Sequence, residues 1–96
     1  MINTRILIIA ITLLVSACAT EPPVQMMSDA RQAITAAEEA DAPRLAPVPI
    51  AEARRYIALA ETQIRNGNFS YAWQNAQRAK NRAVEALNAA KTEGQD

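Results

Sequence analysis

The chain has 96 residues, with Lys+Arg and Asp+Glu at 10 each, no histidine and one cysteine. That length allows one small domain, and the balanced charge gives no electrostatic drive toward nucleic acid or an anionic surface. Without histidine the usual neutral-pH acid–base group and the commonest metal ligand are missing, and a single cysteine closes no disulfide within the chain.

Residues 1–5 are short and carry one positive charge, Arg5; Ile6–Val15 then run without a charge. Val15, Ser16, Ala17 and Cys18 follow directly. A basic start, a short apolar middle and small residues at a cut site have the order of a secretory signal. The middle is too short for a spanning helix, which needs about 20 apolar residues. A cleaved signal with an incidental cysteine and an uncleaved anchor helix are the plainer alternatives. The tetrad resembles a bacterial lipobox: aliphatic, small, small, Cys. That resemblance implies cleavage before Cys18 and acylation of its sulfur and its new amine. No cofactor is expected beyond this covalent lipid. Removing 17 residues leaves 79, and losing Arg5 leaves 9 basic against 10 acidic groups, a net charge of −1.

Residues 18–27 contain Pro22-Pro23 and show no helical or strand period, which predicts a flexible tether. Residues 28–96 form the expected domain. Ser28 is a candidate N-cap, and Ala30, Ala33, Ile34 and Ala37 share one face of a first helix at about 29–40. Asp41–Pro49 holds three prolines and reads as a loop pinned by Leu45 and Val48. Ile50, Ala53, Ile57, Ala60 and Ile64 repeat at spacings of 3 and 4 along a second helix, about 50–66, widened by Tyr56 and Leu59. Glu61 and Arg65 stand four apart on it, a favourable pairing distance. Gly67 suits a left-handed cap, and Asn68 is placed to cap a third helix at about 69–92. Phe69, Ala72, Trp73, Ala76, Ala79, Ala83, Leu87 and Ala90 trace its inner face. The expected fold is all-α: a small three-helix antiparallel bundle, preceded by a signal helix and the tether.

Tyr56, Leu59, Ala60, Gly67, Phe69, Ala72, Ala76 and Ala79 have the spacing of a tetratricopeptide repeat, which the hairpin resembles. Gln63, where an aromatic is usual, and Val84, where a proline is usual, depart from it. Nearly the whole mature chain, with its short first helix, the loop Arg44-Leu45-Ala46-Pro47-Val48 and alanine-rich helices around the Gly67-Asn68-Phe69 turn, resembles short Gram-negative lipoproteins with an uncharacterised alanine-rich helical domain. That resemblance implies a location and a fold and no chemistry.

Phe69, Tyr56 and Trp73 are expected in the core, and Tyr71 outside it. Tyr71, Arg54, Arg55, Arg78 and Arg82 make the candidate interaction surface. No catalytic residue, metal ligand or enzyme activity is expected. Alanine at position 19, where aspartate would retain a lipoprotein in the inner membrane, points to the outer membrane, on its periplasmic side. The expected partners are the membrane, through the acyl chains, and an envelope protein, with a homo-oligomer open. The expected function is a helical protein-interaction module; the alternative is a structural or oligomeric envelope spacer.

Overall fold

A computed structural model describes residues 22–95. The expected signal segment, with Val15, Ser16, Ala17 and Cys18, lies outside the described residues. Four helices follow in order: α1, Pro23–Glu39; α2, Ala42–Leu45; α3, Pro47–Arg65; and α4, Phe69–Glu93. The class is all-α, with a single-turn helix added to the three long ones.

Helix α1 begins six residues earlier than expected, so residues 23–27 are not tether. Pro23 sits in the first turn, where a missing N–H costs nothing and the fixed φ suits a helix. Met26 and Met27 are then buried on the face that carries Ala30, Ile34 and Ala37. Burying two methionines rewards this extension, and it puts Ser28 inside the helix instead of at its cap.

The proline-rich segment is likewise more ordered than a loop. Asp41 takes the left-handed conformation, φ 66°, that ends α1. Its carbonyl accepts the N–H groups of Arg44 and Leu45 at 3.2 and 3.0 Å, closing the turn of α2. Ala46, with φ −143° and ψ 61°, leaves the helical region, which a following proline disfavours, and α3 starts at Pro47. Both Pro47 and Pro49 fall in the first turn of α3, where an N–H has no helical acceptor. Leu45 packs against the core, but Val48 is exposed and pins nothing.

Helix α3 ends in a paired cap. The Asn68 N–H reaches the Gln63 carbonyl at 2.8 Å, and the Gly67 N–H reaches Ile64 at 3.1 Å. This Schellman arrangement needs a left-handed residue at Gly67, where φ is 77°. A Cβ built there meets no atom within 4 Å, so a side chain meets only conformational strain. Gly67→Ala is therefore expected to cost about 1 kcal/mol. The midpoint of denaturant unfolding measures it. The Asn68 side chain does not cap α4 as expected; its backbone carbonyl accepts the Ala72 N–H instead.

The core is built on α4. Its buried residues Ala72, Ala76, Ala79, Ala83, Ala86 and Ala90 follow spacings of 4, 3, 4, 3 and 4. That period averages 3.5 residues, the repeat of a left-handed coiled seam. Met27, Ala30, Ile34 and Ala37 on α1, and Ile50, Ala53, Ile57 and Ala60 on α3, keep the same rhythm. Helices α1 and α3 pack mainly on α4 and less on each other. The methyl groups of α4 let both neighbours come close, and their larger Met and Ile side chains fill the space between.

Ion pairs and hydrogen bonds give the directions. Arg31 meets Glu61 at 2.8 Å and Glu38 meets Arg54 at 3.2 Å, so α1 and α3 run antiparallel. Glu52 meets Arg82 at 3.3 Å and Gln63 meets Asn75 at 2.8 Å, so α3 and α4 also run antiparallel. Helix α1 therefore runs parallel to α4. The Glu61–Arg65 pair does not form, because Glu61 faces Arg31 across the helices and Arg65 donates to Thr62 Oγ1 at 3.1 Å.

Candidate functional site

The five residues of the candidate surface are not brought together. Arg54 is engaged by Glu38, and Arg55 lies over the Tyr56 ring, 5.2 Å from its centre. Arg82 bridges Glu52 at 3.3 Å and Glu85 at 2.7 Å. The hydrogen bond to Glu85, with the charges of Glu85 and Glu52 behind it, raises the Arg82 pKa above its ordinary value. Arg54 and Arg82 link neighbouring helices through Glu38 and Glu52. An exposed ion pair contributes less than about 1 kcal/mol. Tyr71 is exposed, as expected, but lies two turns of α4 before Arg78.

Arg78 belongs to a chain of side-chain hydrogen bonds. Its Nη1 donates to Asn75 Oδ1 at 3.1 Å, and Asn75 Nδ2 donates to Gln63 Oε1 at 2.8 Å. Asn75, 4% exposed, is the buried polar side chain among the described residues. This explains the glutamine at a position where a repeat hairpin carries an aromatic. Gln63 is the acceptor that satisfies a polar group placed among alanines, and the pair fixes the register of α3 against α4. Sequence reading missed Asn75. The available signal was an asparagine directly before Ala76 on an otherwise alanine seam.

The apolar surface gathers at one end. Phe69 was expected in the core but is 57% exposed, beside Tyr71 at 62%. Tyr56 and Trp73, also expected in the core, are half-buried against it. Because α1 runs parallel to α4, Val24, 64% exposed, projects from the same end as Phe69 and Tyr71. The segments that build this end, residues 22–28 and 62–77, contain one charged side chain, Arg65. The first acids beyond it along the helices are Asp29 and Glu61, and Glu21 directly precedes Pro22 in the sequence. At the opposite end, Arg44 Nε donates to Asp41 Oδ2 at 2.6 Å, and Lys91 and Glu93 stand in the last turn of α4.

Among the described residues no group of three acidic, histidine or cysteine side chains is arranged to hold a metal ion. No described helix is long and apolar enough to cross a membrane. The family profile described as "Domain of unknown function (DUF4398)" matches residues 25–96. The chain belongs to the DUF4398 family. No curated protein and no solved structure matches the chain. The DUF4398 match opens at Gln25, within the first turn of α1, so Met26 and Met27 fall inside the family's unit as well as inside the core.

Proposed function

We propose that this DUF4398 chain is a lipoprotein of the outer membrane, facing the periplasm and carried by acyl chains on Cys18. The observation that carries this reading is the tetrad Val15-Ser16-Ala17-Cys18 at the end of a short uncharged apolar run. Two or three acyl chains suffice for durable attachment, since one chain alone binds only marginally. The helical domain serves as a protein-interaction module. A seam filled by alanine methyl groups has no room for an enclosed ligand, so recognition falls to the outer faces.

Metabolic labelling with palmitate tests the anchor. The intact chain is expected to take up label and to sediment with outer membranes. Cys18→Ala is expected to lose the label, and Ala19→Asp to shift the labelled protein to inner membranes. An unlabelled wild-type chain, or equal label on Cys18→Ala, overturns the anchor.

A further inference from the structure

We infer that the end of the bundle bearing Val24, Phe69 and Tyr71 rests on the lipid bilayer, so that the helices stand up from it. The inference rests on the lipid anchor proposed above and adds to it an orientation and a contact.

Three observations meet at this end. The first is the length of the connection. Helix α1 begins at Pro23, and four residue steps separate Cys18 from Pro22. Four steps span at most about 14 Å. An acylated Cys18 therefore holds this end within that distance of the headgroups.

The second observation is what the end presents. A valine, a phenylalanine and a tyrosine are each more than half exposed there. Tyrosine suits the boundary between acyl chains and headgroups, where its ring is buried and its hydroxyl stays wet, and phenylalanine and valine add apolar surface beside it. The third is charge. Arg65 is the one charged side chain in residues 22–28 and 62–77, and a cation is tolerated beside lipid phosphates. Asp29 and Glu61, the next acids on the helices themselves, are carried further up, and Glu21, in the connection to Cys18, is the one acid close to this end. Asn66, Gly67, Asn68 and Ser70 around the turn are polar without charge, as an interfacial loop requires.

The other exposed apolar residues lie elsewhere. Leu59, expected to widen the inner stripe of α3, is exposed six residues before the end of that helix, Val84 lies far along α4, and Val48 belongs to the opposite end, next to α2. Thirteen residues of α4 separate Tyr71 from Val84, about 20 Å along the axis. Contact with a bilayer at one end therefore leaves Val84 in water.

The test uses the full lipidated chain in vesicles of phosphatidylethanolamine and phosphatidylglycerol, some made with lipids brominated on the acyl chains. Two variants each carry a single tryptophan: Trp73→Phe with Tyr71→Trp, and Trp73→Phe with Val84→Trp. The expected result is loss of most emission at position 71 in brominated vesicles and full emission at position 84. Vesicle retention with neither position quenched, and with position 71 open to aqueous iodide, keeps the anchor and overturns the contact. Position 71 shielded from both bromine and iodide means that a second copy or another protein covers this end, which also overturns it. Failure of the intact chain to stay on vesicles removes the anchor and the contact together. As a second readout, Phe69→Ser with Tyr71→Ser is expected to leave the helical spectrum and the acylation unchanged. In brominated vesicles Trp73, one turn further on, then loses the partial quenching it shows in the parent chain; unchanged quenching counts against the contact.

Discussion

Ala79→Leu is expected to lower the melting temperature of the domain by about 10–20 °C, from an overpacking cost of about 2–3 kcal/mol. Ala79 is fully buried, midway along the seam of α4. At a methyl-to-methyl seam the neighbouring backbones lie close, and three added carbons have nowhere to go unless a helix moves out. Moving α1 or α3 outward opens contacts along its whole length, because the same seam continues through Ala76, Ala83, Ala86 and Ala90. A domain of 74 described residues has roughly 4–11 kcal/mol to lose, at about 0.05–0.15 kcal/mol per residue. Ala58→Leu is the control. Ala58 is exposed on α3, and leucine there is expected to shift stability by less than about 0.5 kcal/mol. Thermal circular dichroism of the full chain in mild detergent compares the two. Equal melting temperatures would mean that α4 does not lie against its neighbours as closely as described.

Ile50→Ala is expected to cost about 2–5 kcal/mol, enough to leave much of the chain unfolded at growth temperature. Ile50 is 1% exposed and, among the described residues, is the largest side chain so completely enclosed. Twelve of the seventeen buried apolar residues among those described are alanines. Each of these buries one methyl group, worth about 0.8 kcal/mol, against about 2–3 kcal/mol for an isoleucine. Stability is therefore concentrated in Met26, Met27, Ile34, Ile50 and Ile57. Ile50 also fixes the first turn of α3, immediately after the change of direction at α2. Ile50→Val is expected to cost about 0.5–1.5 kcal/mol, so a graded series in urea separates a cavity effect from loss of the turn.

The seam was legible because apolar spacing of 3 and 4 is a property of the helix alone. Ala72–Ala90 and Ile50–Ala60 could be laid on a face without knowing what they touch, and Gly67 announced its turn through its own backbone freedom. What escaped reading depends on neighbours far along the chain. Pro22-Pro23 looked like a break in order, yet proline opens a helix when residues beyond it, here Met26 and Met27, find a surface on α4. Phe69 fits a hairpin pattern by position, but it stands at the last exposed rung where no third helix covers it. The arginines of the candidate surface were chosen by charge. Their acids lie up to 30 residues away, as Glu52 does from Arg82, and only folding introduces them. Asn75 is the same case in miniature, since its acceptor Gln63 is twelve residues back across a turn.

The parallel run of α1 beside α4 has a mechanical corollary. The chain comes into the bundle at Pro22 and leaves it near Gln95 at the opposite end, about 37 Å apart along a 25-residue helix. Tension between those two points slides α1 along α4 in shear. Every rung of the seam then bears load at once, whereas a hairpin pulled from one end opens rung by rung. The same alanines that contribute little individually to thermal stability would thus resist stretching collectively.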